Sequence, residues 1–104
     1  MLAKKKRITK ELFQVIMKNG RVIHSPLFTF RYIKHDPGYA FAVPKAVSKR
    51  AVDRNSLRRK GYNTLRTCSL KPVAGVFLYK KMAEKPSALY IKENIVFILD
   101  KITF

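Results

Sequence analysis

The chain has 104 residues, of which 47% are hydrophobic, so it is long enough for one compact core and too short for a second domain to be expected. Its 23 Lys and Arg against 6 Asp and Glu give a formal net charge of +17, which points to a polyanionic partner. Because no apolar run approaches the roughly 18 residues that cross a bilayer, we expect nucleic acid as the partner and no membrane association.

We expect one domain over residues 1–104, with residues 1–7 as a basic tail that contacts phosphate. A nuclear-localisation signal is the less common meaning of such a run of Lys and Arg. Lys10 and Glu11 interrupt the next apolar stretch, so we expect no signal peptide and no export. Cys68 is the only cysteine, which excludes an intrachain disulfide and fits the cytoplasm.

A helix is predicted after Thr9, a good N-cap residue, with Ile8 and Phe13 spaced to form a hydrophobic staple. Its apolar positions recur at helical spacing: Leu12, Phe13, Ile16 and Met17. We expect Gly20 to end this helix in the left-handed conformation.

Strands are predicted over residues 21–24, 27–33 and 39–43, with a turn at Asp36-Pro37-Gly38 before the third. In the second strand three aromatic residues alternate with three others: Phe28, Phe30 and Tyr32 against Thr29, Arg31 and Ile33. We expect most of these rings in the core and one or two of them against RNA.

A helix is predicted from about Ala51 to Arg66, weakened by Gly61, and is followed by an apolar strand over residues 73–79 that should be central. Pro86-Ser87 opens a last helix. Its expected core stripe is Ala88, Ile91, Ile95, Ile98, Leu99 and Ile102. The order helix, strand, strand, strand, helix, strand, helix predicts an α+β fold, an α/β sandwich in which helices cover a small sheet.

Residues 45–66 hold the densest positive charge in the body of the chain, eight Lys and Arg against the single acid Asp53. At about 100° per residue, one arc of the predicted helix would carry Asn55, Arg58, Arg59, Tyr62 and Arg66. An adjoining arc suited to the core would carry Leu57, Gly61, Thr64 and Leu65, with Arg54 between the two.

Guanidinium groups, an Asn amide and a Tyr ring suit the RNA backbone, through phosphate oxygens, 2′-hydroxyls and stacking. The alternative is a merely solvated charged face. Solvation alone gives no reason for so few acids among the cations, and we therefore favour a nucleic-acid interface.

Val43-Pro44-Lys45 is followed by a stretch from Arg50 to Arg59 that reads RAVDRNSLRR. Together they resemble the signature of the bacterial ribonuclease P protein, in which a strand ending in Val, a small residue and Lys leads into a basic helix with Arg-Asn-Arg. Further matches extend the resemblance over nearly the whole chain: Phe13, Asn19-Gly20, Ser25-Pro26-Leu27-Phe28, and the strand 73–79 with the helix after it.

The resemblance implies a fold like the second domain of ribosomal protein S5, with a left-handed βαβ crossover around the basic helix. It also implies two partners: the catalytic ribonuclease P RNA, bound by the basic helix, and precursor tRNA, whose 5′ leader lies in a cleft between the sheet and the first helix. No obligate protein partner is expected.

Charge and resemblance together give these candidate RNA contacts: Lys45, Lys49, Arg50, Arg54, Asn55, Arg58, Arg59, Tyr62 and Arg66. The candidate leader-cleft residues are Phe13, Met17, Phe28, Arg31 and Lys45. Several positions depart from the family pattern. Ser56 and Tyr62 stand where Arg is common, Met17 replaces a frequent aromatic residue, and Arg31 lies where Tyr is frequent.

No protein group is predicted to be catalytic or to bind a metal or other cofactor. The six acids are scattered along the chain and His24 and His35 are the only histidines, which gives poor material for a metal site or an acid–base pair. In the family the RNA subunit and its Mg²⁺ perform the chemistry. The rival hypotheses are a structural ribosomal protein and a protein-only nuclease.

Overall fold

The computed structural model describes residues 8–35, 38–68, 71–81 and 85–102. The elements are α1 (Lys10–Asn19), β1 (Arg21–His24), β2 (Phe28–Lys34), β3 (Gly38–Ala42), α2 (Ala51–Leu65), β4 (Val73–Tyr79) and α3 (Ala88–Lys101). The predicted order of helices and strands is confirmed. The predicted basic tail and residues 36 and 37 of the predicted turn lie outside the described residues.

The four strands form one sheet in the order β1-β2-β4-β3. Strands β1 and β2 pair antiparallel, as do β2 and β4, whereas β3 and β4 are parallel and are joined through α2 as a βαβ unit. The predicted central position of β4 is confirmed, since it is hydrogen-bonded on both edges. The handedness of the crossover through α2 stays a prediction.

One face of the sheet is covered by α2 and α3 and holds the main core. Seven aromatic rings from three strands pack there: Phe28, Phe30, Tyr32, Tyr39, Phe41, Phe77 and Tyr79. From β2, Phe28, Phe30 and Tyr32 are at most 3% exposed. The expectation that one or two of these three rings contact RNA is therefore wrong, because the two helices close this face completely over β2.

Among the described residues, α1 is the one helix that packs on the opposite face. Ile16 of α1 packs there on Ala74 and Val76 of β4 in a second, smaller core. Residues that flank this contact on the same face are only half-buried: Leu12, Phe13, Ile33, Ala40, Ala42 and Leu78. This face is thus partly open, because a helix of 10 residues covers about 15 Å of length.

The helix starts follow the predicted capping. The Thr9 hydroxyl accepts a hydrogen bond from Leu12 N at 3.2 Å, and Ser87 does the same for Tyr90 N at 3.1 Å. The predicted stripe of α3 is buried except at Ala88, which is exposed because it lies in the first turn, beyond the edge of the core. Asn94 completes the buried face, where its Oδ1 accepts from Leu27 N at 3.0 Å.

Gly20 does not adopt the left-handed conformation that we predicted. Its φ of −70° and ψ of 150° are extended, because the chain passes directly from α1 into β1. A Cβ atom at Gly20 would lie 2.4 Å from the carbonyl oxygen of Ile16, so close approach of the backbone explains the glycine.

Gly61 also has a packing reason. It is buried on the side of α2 that faces the sheet, and a Cβ atom there would lie 2.6 Å from the Phe41 ring. The cost in helix propensity is offset by the close contact between α2 and β3. No described helix has the length and apolar character needed to cross a membrane.

Candidate nucleic-acid interface

The outward side of α2 carries the predicted cations. Leu57, Gly61 and Leu65 are buried against the main core, as the helical spacing predicted. The opposite side, with the loop before it, is exposed or half-exposed and forms what we call the α2 surface: Lys45, Lys49, Arg50, Asn55, Arg58, Arg59 and Arg66. A row of guanidinium and ammonium groups on a rigid helix is suited to phosphate oxygens spaced along an RNA backbone.

Arg58 and Asn55 are held together on this surface. One guanidinium nitrogen of Arg58 donates to Asn55 Oδ1, three residues earlier on the same helix face. This bond limits the rotamers of two long polar side chains before any ligand arrives. Preorganised side chains lose less conformational entropy on binding.

Asp53 is the single acid in this region, and cations on both sides neutralise it. Its carboxylate lies 3.9 Å from Arg50 Nε and 3.4 Å from Lys85 Nζ. Both cations are largely exposed, so each pair adds little stability. The α2 surface keeps a strong positive field because the other cations named in it face no acid among the described ion pairs.

Two predicted RNA contacts are engaged within the protein. Arg54 Nη1 donates to Ser48 O at 3.0 Å and to Lys49 O at 2.8 Å. The hydroxyl oxygen of Tyr62 accepts from Phe41 N at 3.3 Å, and its ring packs edge-on against Phe41. Tyr62 is therefore turned towards β3 and does not extend the row of outward-facing residues, which corrects its assignment to that arc.

The partly open face beneath α1 forms the second candidate surface, which we call the α1 cleft. Phe13 and Met17 of α1 and Arg31 of β2 are all half-buried. Arg31 Nη1 donates to Met17 O at 3.3 Å, which links the end of α1 to the middle of β2. These three predicted cleft residues therefore lie on the same side of the sheet.

Lys45 and Phe28 differ in how they relate to this cleft. Lys45 is exposed and follows β3, whose last residue, Ala42, is on the α1 side. Phe28 is 0% exposed and lies on the other face, packed against Phe77 and Tyr79. The prediction that Phe28 lies in or beside the cleft is wrong, because the pleat of β2 turns it to the side opposite Arg31.

Sequence reasoning also missed residues of the α1 cleft. Thr29, Ala42 and Leu78 are half-buried on the face that α1 leaves partly open. Strand alternation could have found them, since Thr29 is two residues from Arg31 and must share its side of the sheet. Ala40 and Ala42, which are also half-buried on this face, have small side chains.

The titratable groups with altered pKa values are structural. Burial raises the pKa of Tyr39 to about 12, although a hydrogen bond with the Lys71 backbone acts in the opposite direction. Burial raises the pKa of Tyr79 further. Among the described residues, no group of three or more His, Cys, Asp or Glu side chains could hold a metal ion.

The four-stranded sheet, the parallel βαβ unit and the cationic helix define a class of small, basic α+β proteins with one closed and one partly open sheet face. The comparisons with known proteins agree with this description. The chain belongs to the ribonuclease P protein family, because the family model described as ribonuclease P matches residues 2–103. No curated protein matches the chain in sequence.

Solved structures of this family share the fold. The ribonuclease P protein from Thermotoga maritima superposes with a TM-score of 0.82 at 19% identity, covering 94% of this chain and 98% of that one. The Staphylococcus aureus protein gives a TM-score of 0.71 at 22% identity, covering 96% and 91%. A mutant of the Staphylococcus aureus ribonuclease P protein with defective mRNA degradation activity gives a TM-score of 0.75 at 23% identity, covering 93% of this chain and 87% of that one.

Proposed function

We propose that this chain is the protein subunit of ribonuclease P, which binds the catalytic RNA and the 5′ leader of precursor tRNA and so assists endonucleolytic 5′ maturation of tRNA in the cytoplasm. The observation that carries the proposal is the α2 surface, a row of outward cations in a chain of the ribonuclease P family with a net charge of +17. The protein is an enzyme subunit only as part of the holoenzyme.

The α2 surface binds the catalytic RNA through its phosphates. Each Lys or Arg that neutralises a phosphate releases condensed counterions, so the contact is strong at low salt and insensitive to base sequence. Arg58 and Arg59 lie at the centre of the surface and offer five donors each. Positive charge at this place also offsets the repulsion between two RNA molecules, which must approach each other closely for the substrate to be cleaved.

The α1 cleft binds the leader as a single strand. Its floor is a half-buried strand surface, and Phe13 and Met17 supply apolar contacts from α1. Arg31 supplies a cation where relatives commonly have a Tyr. In this chain, the cleft therefore relies more on phosphate contacts and stacking against a guanidinium plane than on stacking between aromatic rings.

No protein side chain takes part in bond cleavage under this proposal, and no cofactor is held by the protein alone. The RNA subunit would hold the Mg²⁺, which would supply activation of water and stabilisation of negative charge for cleavage. The protein supplies cations and orientation, and it needs no further protein partner to do so.

Reconstitution tests the proposal directly. The purified chain is combined with a bacterial ribonuclease P RNA and a precursor tRNA at low Mg²⁺, where the RNA alone cleaves slowly. We expect the chain to accelerate 5′ cleavage, as an established family member does in the same assay. A ribosomal structural protein would leave the rate unchanged, and a protein-only nuclease would cleave without added RNA. Either result would overturn the proposal.

The salt dependence of RNA binding tests the α2 surface. Replacing Arg58 and Arg59 together with Ala should weaken binding of the catalytic RNA and reduce the slope of log K against log salt by about 0.7–0.9 for each lost phosphate contact. The matched control replaces Lys92 and Lys101, two exposed cations on α3, with Ala and should leave the slope of log K against log salt nearly unchanged. Equal slopes in both double variants would remove α2 from the interface.

A further inference from the structure

Arg54 makes contacts that the other cations of α2 do not make. It lies in the first turn of α2 and is half-buried, between the side of the helix that faces the core and the side that faces outward. A single guanidinium nitrogen, Nη1, donates to the carbonyl oxygens of Ser48 and Lys49 at 3.0 and 2.8 Å. Both acceptors belong to the chain segment that leads from β3 into α2.

This segment, residues 43–50, has few other fixed points. Near its start, Pro44 O accepts from Val47 N at 2.9 Å and from Ser48 N at 3.3 Å, which closes a turn. Val47 packs on the main core. At its end, Arg50 is the N-cap residue of α2, but its side chain forms no capping hydrogen bond. The Arg54 guanidinium, which can only donate, binds the carbonyls just before the helix and so ties the segment to α2 without capping the helix N–H groups.

The position of this contact matters for charge. Lys49 carries one of the two bonded carbonyls, and Arg50 follows it immediately. Lys45 lies in the same segment and is exposed. If the segment were free to move, its three cations would pay an entropic cost each time they met phosphates. Held against α2, the segment keeps these cations next to the helix that carries Arg58 and Arg59.

We propose that Arg54 is a positioning residue that fastens the segment 43–50 to α2, so that cations of the segment and of the helix meet the RNA as one rigid surface. The inference rests on the proposed function for its purpose, but not for its geometry. A positioning role for Arg54 and a direct contact of Arg54 with phosphate predict different effects of replacing Arg with Lys. A planar guanidinium can bind two carbonyls and a neighbouring group at once, whereas a Lys ammonium on a flexible stem is a poor replacement.

Two substitutions of Arg54, one that keeps the positive charge and one that removes it, provide the first test. Arg54→Lys and Arg54→Ala should weaken RNA binding by similar factors. Both should reduce the slope of log K against log salt by more than the about 0.7–0.9 expected for loss of a single phosphate contact, because the cations of the segment lose their alignment too. Arg58→Lys is the comparison for a direct phosphate contact: because its ammonium keeps a point charge on the exposed surface, it should lose less of the slope than Arg54→Lys. Lys92→Ala on α3, outside the α2 surface, is the control and should leave the slope unchanged. If Arg54→Lys keeps the wild-type slope, Arg54 is a direct contact and the inference is wrong.

Double variants provide the second test. Adding Lys49→Ala to Arg54→Ala should weaken binding by less than twofold further, since the Lys49 contact is already lost, and residues that act together are not additive. Adding Arg58→Ala to Arg54→Ala should multiply the separate losses. Full additivity of both pairs would contradict the proposal.

Amide hydrogen exchange in the free protein provides a readout that needs no RNA. The amides of Val47 and Ser48, which donate to Pro44 O, should exchange several-fold faster in both Arg54 variants and at the wild-type rate in Arg58→Ala. Unchanged exchange in the Arg54 variants would overturn the inference. If Arg58→Ala and Arg59→Ala leave RNA binding intact, the proposed function fails separately, and exchange alone then decides whether Arg54 fastens the segment.

Discussion

The two faces of the sheet are built from the same strands and differ in almost every physical respect. On the face under α2 and α3, β4 presents Val73, Phe77 and Tyr79, all at most 2% exposed. On the face under α1, it presents Ala74, Val76 and the half-buried Leu78. One face is aromatic and closed, and the other is aliphatic and partly open.

The two faces therefore separate stability from ligand binding. Aromatic rings bury the most apolar area per residue, so the closed face supplies most of the hydrophobic free energy of folding. The open face contributes less, because its side chains are smaller and several of them are only half-buried. A protein that keeps its stability on one side can expose the other side to a ligand at little cost. Variants on the two faces should therefore differ, with the greatest loss of stability on the closed face.

Phe77→Ala should have the largest effect on stability. The Phe77 ring lies 4.4 Å from that of Phe30 and 4.8 Å from that of Phe41, at the centre of the aromatic cluster. Removing it should lower the free energy of unfolding by about 3–5 kcal/mol, through lost burial and the cavity left behind. The matched control, Leu78→Ala on the open face, should cost about 1 kcal/mol. Urea unfolding of both variants measures the difference, and equal losses would refute the division.

Gly61→Ala should come second. The added methyl group would lie within 3 Å of three atoms of the Phe41 ring, which cannot move freely between Phe77 and Tyr62. Overpacking of this kind typically costs about 1–3 kcal/mol. Because Ala would gain roughly 1 kcal/mol in helix propensity, we expect a net loss of up to about 2 kcal/mol in unfolding free energy. Asn63→Ala, at an exposed position of α2, is the control and should be neutral or slightly stabilising. A stabilised Gly61→Ala variant would show that the contact between α2 and β3 is loose.

The closed face should also set the alkaline limit of the fold. Tyr79 donates to Leu57 O at 2.7 Å and Tyr39 donates to Lys71 O at 2.7 Å, and burial raises the pKa of both phenols, that of Tyr39 to about 12. In the unfolded chain both phenols ionise near pH 10. Between about pH 10 and 12 the unfolded chain therefore binds fewer protons than the folded chain. The contribution of these two phenols to the free energy of unfolding is therefore fully present below pH 10 and is lost as the pH rises through 12.

The variant with Phe at both positions measures this effect. It should lose about 1 kcal/mol at pH 7 for each hydrogen bond removed, and its unfolding free energy should fall less steeply above pH 10. Tyr90→Phe, at an exposed position of α3, is the control and should keep the wild-type slope. An unchanged slope in the double variant would mean that other groups set the alkaline limit.

Much of this fold follows from periodicity. The strand 73–79 was predicted with the bounds that β4 has, and the basic helix differs from α2 by one residue, because a continuous apolar run and a 3.6-residue period are strong local signals. The core side of α2 followed from the same spacing. The prediction for Gly20 is wrong, since a glycine after a helix can mark either a left-handed residue or a close approach of the backbone, and local sequence does not separate the two.

The candidate site was less predictable. The assignment of both Phe28 and Arg31 to one cleft contradicts strand alternation, because residues three apart in a strand point to opposite faces. The contacts of Arg54 with two carbonyls depend on how the preceding segment folds back, which no spacing rule encodes. The outward direction of Arg58 and Arg59 could be predicted because the helix that carries them has a clear buried side.

The smallest effect on stability should come from the open face, where Arg31→Ala removes one hydrogen bond to Met17 O from a half-buried side chain. We expect a loss of less than about 1 kcal/mol in unfolding free energy. The same change should weaken binding of precursor tRNA to the reconstituted holoenzyme several-fold, with a salt slope lower by about 0.7 for the lost single-strand contact. Mature tRNA, which lacks the leader, should bind as before, and Lys92→Ala on α3 should alter neither substrate. Equal weakening for both tRNAs would place Arg31 outside leader recognition and leave the open face without its proposed ligand.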